Sequence, residues 1–204
     1  MRTKSIPFAL LTALFAATAG CGVAEQGPSG SLVRITALEG ASGAKPDTFS
    51  GTLLSDVLTV VEVNQQNVPT VFNDTGRVTM ALTLKDQGAP GTTAAPGPLN
   101  SVTFTHYRVE YRRTDGRNVQ GVDVPYSFDS GLTFTVPSDG TATAVFELVR
   151  HSAKDEAPLR ALRLSGLIST IADVTFFGRD GGGKDVQVRG SMGVDFGDFA
   201  DPTS

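Results

Sequence analysis

RVTMALTL occupies residues 77–84, and its alternation decides the fold class. Val78, Met80, Leu82 and Leu84 fall on one face of an extended chain, with Arg77, Thr79, Ala81 and Thr83 on the other. Successive side chains of a strand point to opposite faces, so a period of two is the pattern of a half-buried strand. The same pattern recurs outward along the chain. LVRITAL (32–38) aligns Val33, Ile35 and Ala37, and LTFTV (132–136) aligns Leu132, Phe134 and Val136. TATAVFELVR (141–150) aligns Ala142, Ala144, Phe146 and Leu148. DVQVRGSMGVDF (185–196) aligns Val186, Val188, Met192, Val194 and Phe196. VLTVVEV (57–63) is apolar on both faces and is expected to be more deeply covered.

Turn chemistry separates these runs: NDTG, TDGR, DSG, PSDG and RDGGGK. Glycine supplies positive φ there, and Asp or Asn bonds its own nearby backbone. About eight or nine short strands with one apolar face each, and no long helix, predict an all-β antiparallel two-sheet sandwich. The strands run over residues 31–199, with 200–204 left as a C-terminal tail. At 204 residues and 40% hydrophobic content, the chain can bury one good-sized core.

Two segments break the alternation. DQGAPGTTAAPGPLN (86–100) is a Pro/Gly-rich loop of a length that compact domains use for mobile or functional connections, an extended connector or a partner-binding loop. HSAKDEAPLRAL (151–162) opens on a capping-box pattern, Ser152 to Asp155, and Pro158 limits the helix. At most a short helical turn near 152–158 is expected, covering one end of the sandwich.

The N-terminus has a different composition. Arg2 and Lys4 precede SIPFALLTALFAATAG (5–20), which is apolar or small throughout and slightly too short to span a bilayer. It has the layout of an export signal. Ala19 and Gly20 then precede Cys21, the single cysteine. This resembles a bacterial lipoprotein signal, in which a peptidase cuts before a cysteine already carrying a lipid thioether. Ala19, Gly20 and Cys21 match that motif, while Thr18 stands where Leu is usual. The resemblance implies a signal peptide over 1–20, lipid attachment at Cys21, a flexible tether over 21–30 and a place in the cell envelope. Gly22 rather than Asp after the cysteine favours the outer membrane where the organism has one. The rival readings are an ordinary signal peptide with an incidental cysteine, or a functional thiol. A lone cysteine cannot close an intramolecular disulfide, and GVAEQGPSG (22–30) offers no electropositive pocket to activate a thiolate.

Charge argues against a nucleic-acid partner. The chain carries −4, and loss of Arg2 and Lys4 with the leader would take it to −6. Phosphate recognition needs a clustered cationic face, and Glu110 and Asp115 dilute the densest basic stretch, 108–117. VTFTHYRVEYRR (102–113) places Tyr107, Val109 and Tyr111 on one face and His106, Arg108, Glu110 and Arg112 on the other. That second face reads as solvated charges offsetting one another, with a recognition surface as the alternative.

With His106 and His151 as the only histidines, zinc and blue-copper ligand sets cannot be assembled. Asp180, Asp185, Asp195, Asp198 and Asp201 are better explained as turn aspartates than as a calcium loop, because DGGGKD lacks the required alternation. The G-K pair in GRDGGGKD has no following Ser or Thr and lies between strands, so it is not a phosphate loop. No cofactor, metal or catalytic residue is predicted. The expected role is non-catalytic binding or scaffolding, with an envelope protein or a glycan as partner. One alternative is a hydrolase whose triad forms only in three dimensions, around His106 or His151. Another is a ligand- or carbohydrate-binding module, which needs a concave pocket or exposed aromatics near Tyr107, Tyr111 or Tyr126.

ADVTFFGRDGGGKDVQVRGSMGVDF (172–196) resembles the closing hairpin of bacterial immunoglobulin-like domains, in which an alternating strand ends in aspartate before a Gly-containing turn and a long last strand. Asp180 and Gly183 match, and Lys184 stands where Asn is usual. The resemblance implies an immunoglobulin-like sandwich and no active site. The chain as a whole is similar to bacterial lipoproteins that carry one such domain.

Overall fold

A computed structural model describes residues 29–86 and 97–199. The leader, Cys21, most of the tether, residues 87–96 of the long loop and the 200–204 tail lie outside the described residues. The rest is a β-sandwich of ten strands. In chain order these are β1 (Ser31–Ala41), β2 (Thr52–Asp56), β3 (Thr59–Val63), β4 (Gln66–Thr70), β5 (Asp74–Leu84), β6 (Val102–Arg112), β7 (Phe128–Val136), β8 (Thr141–Val149), β9 (Leu167–Asp180) and β10 (Asp185–Gly197). One layer is ordered β1-β5-β8 and the other β2-β10-β9-β6-β7, while β3 and β4 form a separate hairpin. Every pairing is antiparallel except β2 against β10, which is parallel with Thr52 opposite Gly193. The expected antiparallel sandwich is thus present, with one parallel pair at the edge of its larger sheet.

The alternating faces meet as one core. Val78, Met80 and Leu82 of β5 are buried in the same core as Val186, Val188, Met192, Val194 and Phe196 of β10. An aromatic group fills its middle. The Phe176 ring lies 5.4 Å from Phe146, 6.1 Å from Tyr107 and 6.4 Å from Phe104. Each such contact contributes about 0.5–1.5 kcal/mol beyond the area it buries.

Two bulges shift the alternation. In β1 the register slips at Thr36, so Ile35 pairs with Met80 and Leu38 with Val78. Leu38, not Ala37, therefore continues the core face. In β6 the slip falls at Thr105, which lets Val102 and Phe104 share the core with Tyr107, Val109 and Tyr111. An extra residue restores an inward direction that strict alternation would lose.

The VLTVVEV expectation fails beyond its first residues. Val57 is fully buried, but β3 lies in the separate hairpin and Val63 is exposed. Asn64 and Gln65 both adopt positive φ between Val63 and Gln66, the backbone of a tight two-residue hairpin turn. β4, QNVPT, is mostly exposed, so the hairpin has little core to cover.

Candidate functional site

A turn of helix, α1 (His151–Lys154), follows β8, and a 3-10 turn spans Leu159–Arg163. The expected capping box does not form. Ser152 lies inside the helix and Arg150 holds the cap position without a side-chain bond. The cap comes from elsewhere in the fold, because Asn73, just before β5, accepts the His151 backbone N–H at 2.6 Å. The same Asn73 oxygen lies 2.9 Å from His151 Nδ1, which donates to it when that nitrogen carries the hydrogen.

Beneath this turn is a buried charge pair. Lys154 Nζ donates to Asp74 Oδ1 at 2.8 Å, with side-chain exposures of 1% and 0%. The Gly43 N–H reaches the same oxygen at 2.9 Å, and Ser55 Oγ donates to Oδ2 at 2.5 Å. The carboxylate thus joins the β1–β2 loop, β2, β5 and α1. Burial lifts its pKa above the ordinary 3.8, outweighing Lys154 and the hydrogen bonds that pull it down. No local pattern marks this pair: the partners are 80 positions apart, one in a turn-like NDTG and one in a charged helix. Arg163 Nη2 closes the far side of the turn, donating to the Lys154 carbonyl and to Asp155.

The clamped segment forms one wall of a cleft of about 230 Å³. Arg150, Ser152 and Glu156 line that wall, and Tyr126 and Ser127 line the other. Arg150 is held in place: its guanidinium lies 3.9 Å from the Phe128 ring centre, its Nη2 donates to the Asp129 carbonyl at 2.9 Å and its Nε approaches Glu147 at 3.4 Å. The Tyr126 hydroxyl, the Ser152 hydroxyl and the Glu156 carboxylate have no hydrogen-bond or ion-pair partner among the described residues. A second cleft, of about 340 Å³, lies between the β1–β2 loop, β2 and Phe199 and is lined mainly by apolar groups such as Leu53 and Leu54.

The three tyrosines have separate fates. Tyr107 and Tyr111 are buried, and their hydroxyls donate to the Glu147 carbonyl at 3.0 Å and the Leu148 carbonyl at 2.6 Å. Burial raises the pKa of both, that of Tyr111 well above 10. Neither ring can be an exposed platform. Tyr126 is 57% exposed and stands in the cleft.

The polar face of β6 and the turn that follows it are ion-paired. Arg108 lies between Glu110 and Asp129, Arg113 and Arg117 share Asp115, and the His106 ring stacks on Phe177 at 4.7 Å. Asp173 of β9 was not singled out in the sequence, yet it organises this face. It accepts Arg112 Nε at 2.7 Å, pairs with Arg189 at 2.8 Å and takes the Ser191 hydroxyl. Burial pushes its pKa up, but these donors and charges prevail and hold it below 3.8.

His106 Nδ1 lies 3.3 Å from Thr105 Oγ1, and His151 contacts Asn73, so among the described residues neither joins a serine and a carboxylate. Asp180 closes the β9–β10 turn by accepting the N–H groups of Gly182 and Lys184, and Asp185 pairs with Arg179. Among the described residues no three His, Cys, Asp or Glu side chains gather as a metal site, and no helix is long and apolar enough to cross a membrane. Asp201 and Cys21 lie outside the described residues. No protein-family model matches the chain, and neither a curated protein nor a solved structure matches it.

Proposed function

We propose that this chain is an exported cell-envelope protein, held to a membrane by lipid on Cys21, whose β-sandwich binds an envelope component without catalysing a reaction. The cleft beside Tyr126 carries the reading. It gathers a hydroxyl, a phenol and a carboxylate that have no partner among the described residues, one wall being pinned from beneath by Asp74 and Lys154. Polar groups that converge on a cleft supported by rigid elements are what ligand recognition requires. The leader and Ala19-Gly20-Cys21 support the location. Each buried methylene contributes about 0.8 kcal/mol, and two or three acyl chains hold where one binds marginally.

The location is tested by Cys21→Ser in the full chain, which should move the protein from the membrane fraction to the soluble one. A variant that stays with the membrane refutes the anchor. Binding is tested in the native envelope by a photoreactive residue at position 152, compared with one at 68 on the exposed β4. Adducts at 152 and not at 68 support the cleft; equal labelling, or none, refutes it.

A further inference from the structure

We infer that the Tyr126 cleft takes a single uncharged sugar ring. The inference rests on the cleft being a binding site, and it adds the chemical class of the ligand.

Tyr126 is exposed, but its loop is built to hold it. Gly121 has φ +76 and sits against the phenol, where a Cβ would come within 2.4 Å of the hydroxyl oxygen and 2.6 Å of the ring carbon bearing it. The Gly121 N–H donates to the Val124 carbonyl at 2.8 Å, and the Ser127 N–H donates to Gln120 Oε1 at 3.2 Å. The loop thus closes on itself on both sides of the ring. A half-exposed aromatic held in place offers an apolar face at little entropic cost to a ligand. The C–H face of a pyranose matches that surface, while its hydroxyls donate and accept at the rim.

The opposite wall supplies the polar half. Ser152 can donate and accept, and the Glu156 carboxylate accepts from two or more hydroxyl groups. The charges at the cleft oppose each other. Glu156 is an anion unpaired among the described residues, and Arg150 remains a cation, with Nη2 turned to the Asp129 carbonyl and Nε towards Glu147. A uronate would gain Arg150 but lie beside Glu156. An ammonium sugar would gain Glu156 but lie beside Arg150. A neutral ring meets neither penalty. The volume, about 230 Å³, is below the roughly 300 Å³ at which drug-sized pockets begin, and suits one ring.

The full chain, purified in detergent, is titrated with methyl glucoside, methyl galactoside, methyl mannoside and N-acetylglucosamine, and with glucuronate and glucosamine for comparison, by isothermal calorimetry and ligand-observed NMR. At least one neutral sugar should bind with a millimolar Kd, about tenfold or more tighter than either charged sugar. Tyr126→Ala should weaken it about tenfold, Tyr126→Phe, which keeps the ring and loses only the hydroxyl, should weaken it less, and Glu156→Gln should narrow the discrimination against glucuronate. Glu156 is exposed, so its variant keeps the test open if Tyr126→Ala misfolds. The inference is overturned if no neutral sugar binds, if a charged sugar binds as well, or if Glu156→Gln leaves discrimination unchanged. Cleft adducts at position 152 in the native envelope without sugar binding would overturn the sugar class and leave the binding role intact.

Discussion

Lys154→Met removes a buried ammonium while keeping most of the side-chain volume. Asp74 is fully buried and would retain only Ser55 Oγ and the Gly43 N–H as donors. Removing one partner of a buried ion pair costs about 3–5 kcal/mol, because the remaining charge loses its counter-ion but not its desolvation. With a urea m-value of about 2 kcal/mol/M, a loss of about 4 kcal/mol lowers the midpoint by about 2 M. The pH dependence separates this cause from a packing defect. The folded-state pKa of Asp74 is raised above 3.8, so its contribution is complete below the unfolded pKa and falls as pH rises through the folded one. Lys154 supplies two of the influences that lower that pKa, so the variant value rises further. The deficit against wild type should therefore be largest at pH 7 and narrow towards pH 4.5, as Asp74 takes up a proton. Urea unfolding followed by far-ultraviolet circular dichroism at both pH values reads this directly. Asp74→Asn combined with Lys154→Met should recover most of the loss, since no isolated charge remains. A deficit below about 1 kcal/mol at pH 7, or one equal at both pH values, would refute a charge-based clamp.

Asp173→Asn should destabilise the domain by about 1–2 kcal/mol, less than the Asp74 pair because Arg112 and Arg189 are half in solvent. Its folded pKa lies below 3.8, so its contribution is present above that pH and lost as pH falls through the folded value. A wild-type-minus-variant difference that does not shrink between pH 5 and pH 2 in urea titrations would contradict this. Gly76→Ala places a methyl 2.4–2.7 Å from the Phe146 ring, which then must leave its contacts with Tyr107 and Phe176. The expected cost is about 1–3 kcal/mol with a changed near-ultraviolet spectrum, and an unaltered spectrum would show that the ring is not seated on Gly76.

The sheets were legible in the sequence wherever one apolar face carried the information. DVQVRGSMGVDF buried the residues its alternation selects, and RVTMALTL buried Val78, Met80 and Leu82 but left Leu84 half-buried at the strand end, because the inter-sheet core decides which side chains turn inward. The bulges at Thr36 and Thr105 were not legible: a threonine in a strand looks the same whether it is paired or extra, and only the opposite strand distinguishes the two. VLTVVEV misled because β-branched residues favour strands whether or not another sheet covers them. Ser152 misled for a related reason. A capping box is a local motif, and Asn73, 78 positions away, supplied the cap instead. Of the cleft, only Tyr126 was visible in advance, as one of three tyrosines. Which of the three remains in water depends on β6, whose inward face takes Tyr107 and Tyr111 into the core.

The parallel pairing of β2 with β10 also sets the order in which the domain can be completed. Residues 52–56 of an early segment rest against 193–197, almost the last of the described chain. β9 and β6 on the same sheet likewise take β10 as neighbour or next-but-one. A chain delivered amino end first can assemble β1 on β5 early, but the five-stranded layer has no bridge between β2 and β9 until β10 arrives. Non-local pairing of this kind slows folding, because loop-closure entropy is lost before the contacts that offset it form. Until β10 emerges, β2 has no neighbour through which to join the five-stranded layer.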